Sequence, residues 1–128
     1  MTALSLLHID DDDDIREVAA MALELDPAID LASAASGEEG LRLLEEGLRP
    51  DVILLDVMMP RLDGPGALER LRRIPGLEAT PVIFMTARAQ AGELRDYLAL
   101  GAVGIIIKPF DPMTLAGQVR DVLKSTQA

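Results

Sequence analysis

Short apolar segments recur along the chain and alternate with longer segments in which apolar residues are spaced as on one face of a helix. The short segments are almost continuously apolar, which favours β-strands buried on both faces of a sheet. Five strands are predicted, at residues 4–9, 29–34, 52–55, 82–85 and 103–107.

The segments between the strands have the period of amphipathic helices. After the first strand, Ile15, Val18, Ala19, Ala22 and Leu25 share one face, and four later segments repeat this spacing. Residue types that begin or end helices stand at the edges of these segments. They are Ser36 with Glu39, Asp14 with Glu17, Asp111 with Pro112, and Gly101.

This order, a strand followed by a helix five times, predicts an α/β fold. Such alternation is typical of a doubly wound parallel sheet with helices on both faces. A chain of 128 residues without an internal linker is expected to form one domain over 1–128, with an ordered core at about 4–124.

The amino-acid composition excludes several kinds of site and disfavours several kinds of partner. The chain has no cysteine and one histidine, His8, which excludes a disulfide scaffold, a thiol nucleophile and a multi-histidine metal site. A net charge of −10 and an aromatic content of 2% disfavour direct binding to nucleic acid or to anionic membranes. No apolar run approaches the roughly 20 residues of a membrane span, and no signal peptide is visible, so we expect a cytoplasmic protein.

Charged and hydroxyl side chains follow most of the predicted strands. Asp10 and Asp11 follow the first strand, and Asp56, Thr86 and Lys108 follow the third, fourth and fifth. Ligands of open α/β sheets bind outside the carboxyl ends of the strands. If the strand order is 2-1-3-4-5, these side chains meet at one edge, whereas the second strand ends without a charged residue.

Clustered carboxylates repel one another unless a cation joins them, and their hard oxygens suit Mg²⁺. Asp56 could then act as a nucleophile on phosphorus and form an aspartyl phosphate. Mg²⁺ and Lys108 would neutralise the phosphoryl oxygens, and the Thr86 hydroxyl could donate to one of them. His8 is interpreted as a packing residue within the first strand.

Six motifs follow one another over nearly the whole chain. They are Ile9-Asp10-Asp11, Asp56-Val57-Met58-Met59-Pro60, Asp63-Gly64, the segment 81–87, Gly101-Ala102 and Lys108-Pro109-Phe110. Together they resemble the receiver domain of two-component response regulators, the CheY-like superfamily. The resemblance implies a flavodoxin-like (βα)5 fold with strand order 2-1-3-4-5.

The resemblance also implies a function and a ligand set. A sensor histidine kinase or a histidine phosphotransfer protein would phosphorylate Asp56, and the domain would then change its surface toward a downstream protein that the sequence does not name. Mg²⁺, with Mn²⁺ as the alternative ion, would be held by Asp11, Asp56 and the backbone carbonyl of Met58, with Asp10 acting through water. The domain would catalyse only its own phosphorylation and dephosphorylation.

Supporting roles follow from the same resemblance. Thr86 and Lys108 would stabilise the phosphoryl group and transmit the switch. Met58 and Arg88 would flank the path of the attacking water and set a slow dephosphorylation. A cis peptide bond is expected before Pro109.

Two departures from the family pattern change the expected output. Ile105 stands where the family usually has an aromatic residue, and residues 102–104 lack the acidic side chains used in dimer contacts. We therefore expect a monomer or weak dimer. In the family, an aromatic side chain at the position of Ile105 rotates inward when the hydroxyl at the Thr86 position moves, and so acts as a gate. We expect the switch here to work instead through residues 86–95 and the fourth helix.

Two other functions compete with this one. An aspartate-nucleophile phosphohydrolase would need a second acid two residues after Asp56, where Met58 stands, and a cap domain for which the chain has no room. A phosphorylation-independent binding module would be expected to lack Asp56, the acidic pair or Lys108, and all of these are present.

Overall fold

The computed structural model describes residues 3–87 and 90–127, and within them strands and helices alternate along the chain. The strands are β1 (Leu4–Ile9), β2 (Ile29–Ala34), β3 (Val52–Asp56), β4 (Val82–Thr86) and β5 (Gly104–Ile107). The helices are α1 (Asp13–Glu24), α2 (Gly37–Glu45), α3 (Gly64–Leu71), α4 (Ala91–Ala99) and α5 (Leu115–Gln127).

The strands form one sheet in the order β2-β1-β3-β4-β5, and every neighbouring pair is parallel. The predicted α/β class and strand order are confirmed. Because all strands run the same way, their carboxyl ends lie at one edge of the sheet, and the ends of β1, β3, β4 and β5 are consecutive there.

Hydrophobic cores lie on both faces of the sheet. One core joins β-strand residues such as Leu7 and Ile9 to the buried faces of α2 and α3. The other joins Leu6 and Leu54 to the buried faces of α1 and α5. Each helix buries only part of its surface, and within residues 3–87 and 90–127 none is long and apolar enough to span a membrane.

The start of α1 differs from the sequence prediction. The N-cap is Asp12, whose carboxylate accepts hydrogen bonds from the backbone N–H groups of Asp14 and Ile15 at 2.9 and 3.2 Å. The predicted capping box of Asp14 and Glu17 is therefore wrong. The helix begins at Asp13, directly after this cap, so Asp14 lies inside the first turn.

The start of α5 also differs. The Asp111 carboxylate accepts a hydrogen bond from the Met113 N–H at 2.9 Å, but this closes a turn, and α5 begins only at Leu115. The other predicted ends are confirmed: the Ser36 hydroxyl caps α2 through the Glu39 N–H at 3.0 Å, and Gly101 follows α4 with φ of 110°.

The last strand begins one residue later than predicted, at Gly104. A Cβ atom at this position would lie 2.5 Å from Cγ1 of Val122 on α5. Only glycine permits this approach, so α5 packs directly on the backbone of β5.

Arginine side chains join the loops at the amino-terminal edge of the sheet. Arg49 donates to the backbone carbonyls of Leu44, Leu48 and Pro75 at 2.6–3.0 Å. Arg72 donates to those of Leu77 and Thr80 at 3.0 and 2.6 Å, and to that of Gly101 at 3.4 Å. These bonds tie together loops that precede β3, β4 and β5.

Candidate functional site

The site forms where four strands end at the carboxyl edge of the sheet. Asp56 and Thr86 are the last residues of β3 and β4, and Asp10 and Lys108 directly follow β1 and β5. Side chains from these ends line a cavity of about 230 Å³, which Asp11 and Met58 also line. The sheet topology thus brings together residues from opposite ends of the chain.

Lys108 links two of the carboxylates. Its ammonium donates to Oδ2 of Asp10 and to Oδ1 of Asp56, each at 2.9 Å. Both carboxylates are almost fully buried, and the lysine side chain is 15% exposed. One ammonium therefore neutralises part of the charge of two buried acids.

The acidic side chains are close enough to share a cation. Asp10, Asp11 and Asp56 each offer one carboxylate oxygen, and these oxygens lie within 4.8 Å of one another. Asp11 is exposed while the other two are buried, so the group opens to solvent on one side. Hard oxygen donors in this number, open to water, fit Mg²⁺ or a similar divalent cation.

Burial and hydrogen bonding shift the pKa values of Asp56 and Lys108. The pKa of Asp56 is raised from 3.8 to about 6, chiefly because burial disfavours the carboxylate, although the hydrogen bond from Lys108 opposes this. Burial alone would lower the pKa of Lys108, but its hydrogen bonds to Asp10 and Asp56 outweigh it and raise the pKa. At neutral pH the lysine is thus charged and Asp56 is mostly ionised.

Backbone contacts hold the loops that carry the acids. Arg16 on α1 donates to the backbone carbonyl of Asp10 at 2.7 Å and also contacts Asp13. The Asp12 N–H donates to Oδ1 of Asp10 at 2.9 Å. These bonds fix the turn that follows β1.

The loop after β3 is closed by a glycine. The Gly64 N–H donates to the carbonyl of Val57 at 2.9 Å, and a Cβ on Gly64 would lie 2.6 Å from the carbonyl oxygen of Asp56. A larger residue here would displace the backbone of Asp56.

His8 is the buried polar group that the sequence analysis assigned to packing alone. It has no exposed surface, and neither ring nitrogen has a hydrogen-bond partner. Burial lowers the pKa of His8 to about 4, so the ring is neutral at physiological pH. Its Nε2 lies 3.9 Å from Oδ2 of Asp10, a proximity that hydrophobic periodicity cannot reveal.

The remaining candidate residues lie at the rim of the acidic pocket, within it, next to it or away from it. Met58 is 69% exposed at the rim of the cavity, and Thr86 is buried. The Lys108–Pro109 peptide bond is cis. Ile105 is half-buried on the face of the sheet that α2 and α3 cover, away from the acids. Arg88 lies outside the described residues.

An apolar cavity adjoins the acidic one. It has a volume of about 320 Å³ and is lined mainly by apolar side chains of α1 and of the segments after β4 and β5, together with Asp14 and Lys108. Its apolar lining includes Val18, which is 42% exposed, and Phe110. A protein that contacted this cavity would lie against the side chain of Lys108.

Comparison with known proteins identifies the chain. Residues 6–120 match the family model described as the response regulator receiver domain. The chain belongs to this family. Receiver domains of response regulators are signalling modules, and the acidic pocket at the sheet edge has the composition of a metal site.

Curated relatives of this receiver domain are longer proteins. The transcriptional regulatory protein AfsQ1 of Streptomyces coelicolor is 42% identical over 120 residues, which are 94% of this chain and 51% of AfsQ1. The response regulator Rre1 of Synechocystis is 34% identical over 125 residues, which are 98% of this chain and 54% of Rre1. The chain spans about half the length of the curated relatives that it matches.

Solved structures of similar size share the fold of this receiver domain. The chemotaxis response regulator CheY4 of Vibrio cholerae superposes with a TM-score of 0.85 at 30% identity, covering 94% of this chain and 99% of CheY4. The receiver domain of the Francisella response regulator 1452 gives 0.83 at 32% identity, covering 96% and 98%.

Proposed function

We propose that this receiver domain is a phosphorylation-dependent switch in which Asp56 accepts a phosphoryl group from a histidine of a sensor kinase or of a phosphotransfer protein. The arrangement of Asp56 carries the proposal: its carboxylate borders an open cavity and has the Lys108 ammonium 2.9 Å away. A carboxylate oxygen would attack phosphorus and form an O–P bond as the P–N bond breaks. The electron pair of that bond would stay on the departing imidazole nitrogen.

Asp10, Asp11 and Asp56, together with the backbone carbonyl of Met58, would hold Mg²⁺, or Mn²⁺ in its place, with Asp10 acting through water. The proximity of the three carboxylates supports this ligand set. When bound, the cation supplies positive charge that stabilises the phosphoryl oxygens.

Lys108 and Thr86 would bind the phosphoryl group once it is attached. The ammonium already contacts Oδ1 of Asp56. A small rotation of the lysine side chain would exchange its bond to Oδ2 of Asp10 for a bond to a phosphoryl oxygen, which is a strong charge-assisted acceptor. The buried Thr86 ends the neighbouring strand and would donate its hydroxyl to another oxygen.

Loss of the phosphoryl group requires a water molecule to attack phosphorus, with the Asp56 oxygen as the leaving group and inorganic phosphate as the product. Met58 and Arg88 would flank the path of that water. Neither side chain is a general base, and the exposed Met58 side chain lies at the rim of the cavity. We therefore propose a slow dephosphorylation.

The output would be a changed protein-binding surface that involves residues 86–95 and α4. Ile105 would not act as a gate, because its side chain is short and β-branched. Direct binding to nucleic acid is disfavoured by a net charge of −10. We propose a cytoplasmic domain that is a monomer or a weak dimer and that acts on a further protein.

The proposed function is tested by mass spectrometry after incubation with acetyl phosphate. The intact protein should gain one phosphoryl group only when Mg²⁺ is present, and Asp56→Asn should abolish the gain. Asp30→Asn is the matched control, because Asp30 is an exposed aspartate on β2.

Phosphorylation of Asp56→Asn at the wild-type rate would refute the assignment of the nucleophile. Failure of the wild-type protein to gain a phosphoryl group from either acetyl phosphate or a histidine kinase would favour a phosphorylation-independent binding module.

A further inference from the structure

An apolar residue at the position of His8 would make the folded protein more stable. It is completely buried, and both ring nitrogens lack hydrogen-bond partners. Its neighbours on the same face of the sheet, Leu6 on β1 and Leu54 across the register on β3, belong to the core beneath α1 and α5. An unpartnered polar group in such a core destabilises the fold, so simple packing does not account for a histidine here.

The carboxylate of Asp10 lies close to the imidazole of His8. Its Oδ2 lies 3.9 Å from Nε2 of His8, about 1 Å beyond the length of an N–H···O hydrogen bond. The same oxygen accepts from the Lys108 ammonium at 2.9 Å, while Oδ1 of Asp10 accepts from the Asp12 N–H at 2.9 Å. In this state both oxygens of Asp10 have donors and His8 has none.

The proposed function removes one of these donors. When the phosphoryl group is attached to Asp56, Lys108 is drawn to its oxygens, and Oδ2 of Asp10 loses the ammonium. A buried carboxylate oxygen without a hydrogen-bond donor destabilises the protein. The imidazole of His8, which carries one N–H in its neutral form, has its Nε2 3.9 Å from that oxygen.

We propose that His8 is a positioning residue that donates its Nε2–H to Oδ2 of Asp10 when Lys108 moves to the phosphoryl group, and so keeps the Asp10 carboxylate oriented toward the cation. The inference rests on the proposed function. It explains why the unphosphorylated protein contains an imidazole without a partner: the partner becomes available only in the phosphorylated state.

The histidine can be observed directly because it is the only one in the chain. Long-range ¹H–¹⁵N correlation spectra of the imidazole would be recorded with Mg²⁺ alone and with Mg²⁺ and beryllofluoride, which mimics the phosphoryl group. Addition of beryllofluoride should shift the Nε2 resonance toward that of a hydrogen-bonded N–H and slow the exchange of this proton. Unchanged imidazole resonances in a protein that has bound beryllofluoride would overturn the proposal.

Two variants separate positioning from packing. His8→Met keeps a side chain of similar length without a donor, and His8→Gln places an N–H near the position of Nε2. His8→Met should raise the melting temperature without ligands but weaken Mg²⁺-dependent beryllofluoride binding about tenfold, the effect of losing one hydrogen bond to a carboxylate. His8→Gln should recover most of that binding.

Equal beryllofluoride binding by the wild-type protein and His8→Met would show that His8 only packs. A wild-type protein that binds no beryllofluoride and takes up no phosphoryl group would refute the proposed function itself, and this result is distinct from the previous one. The spectra of the wild-type protein need no variant, so they decide the question even if His8→Met does not fold.

Discussion

At the scale of single residues, ionisation of Asp56 works against folding. The residue is 4% exposed, and burial raises the pKa of its carboxyl group from 3.8 to about 6. Because the folded state binds this proton more tightly than the unfolded state, the protonated acid stabilises the fold. That contribution is complete below pH 3.8 and is lost as the pH rises through 6.

Asp56→Asn should therefore be more stable than the wild-type protein at neutral pH when a chelator removes divalent cations. The difference in the free energy of unfolding should grow between about pH 4 and 6 and then stay constant at no more than about 3 kcal/mol. Urea unfolding at several pH values measures it. A difference that does not change with pH would contradict the assigned cause, and Asp30→Asn should not reproduce the trend.

The chemistry of single residues could be predicted only in part. Strand ends are visible in the sequence, so the proximity of Asp10, Asp56 and Lys108 follows once the strand order is given. The isolation of His8 could not be predicted, because an apolar run shows that a position is buried but not which polar atoms surround it. The sequence also could not select Asp12 as the cap, since five consecutive aspartates offer the same side chain.

At the scale of secondary-structure elements, α4 and α5 are held differently. The Gly104 backbone lies against Val122, which fixes α5 close to β5. In α4 the side chain of the N-cap residue Gln90 makes no capping hydrogen bond, and Leu98 is 49% exposed. Tyr97 of α4 packs against Phe84 of β4 in a T-shaped ring pair with centroids 5.3 Å apart. We therefore expect α4 to respond to phosphorylation more than α5.

Hydrogen exchange with and without beryllofluoride tests this expectation. Protection should increase mainly at residues 86–95, change little in α5, and remain the same in Ile105→Val. Ile105 pairs in register with Phe84 and packs against the core beneath α2 and α3, where removing one methyl group leaves the acidic pocket intact. Loss of the protection change in Ile105→Val, with phosphorylation unaffected, would show that Ile105 is a gate.

The boundaries of elements were predicted where one local signal acts alone, as with Ser36 at α2 or Gly101 after α4. They were missed where adjacent residues offer competing local signals. Val103 is apolar and favours a strand, but β5 starts at Gly104. Asp111 and Pro112 resemble a helix start, but the bond from the Met113 N–H to Asp111 closes a separate turn before α5.

At the scale of the whole molecule, a strongly acidic chain has a mainly apolar cavity beside the reactive edge of its sheet. The net charge is −10, yet the cavity next to Lys108 is lined mainly by apolar side chains such as Ile15 and Val18. A small phosphate donor can enter the acidic pocket without touching this opening. A phosphohistidine protein has to cover part of the surrounding surface, and we infer that it docks here.

Val18→Asp should therefore slow phosphoryl transfer from a phosphohistidine protein about tenfold or more, because burying an unpaired carboxylate weakens docking. The rate with acetyl phosphate should stay within about twofold of the wild-type rate. Leu98→Asp, an exposed apolar position on α4, is the matched control and should leave both rates unchanged. Equal slowing with both donors would place the effect in the pocket instead of the docking surface.

The arginine bonds that join the loops lie at one end of the sheet, and the reactive acids lie at the other. Arg49 and Arg72 tie the loops that precede β3, β4 and β5, at the end of the sheet opposite the reactive acids. Substitutions of these arginines should therefore lower the thermal stability and leave the acidic pocket intact, whereas substitutions at the other end, such as Asp56→Asn, should change reactivity and stability together. Selection can therefore adapt such a domain to a new temperature without retuning its signal.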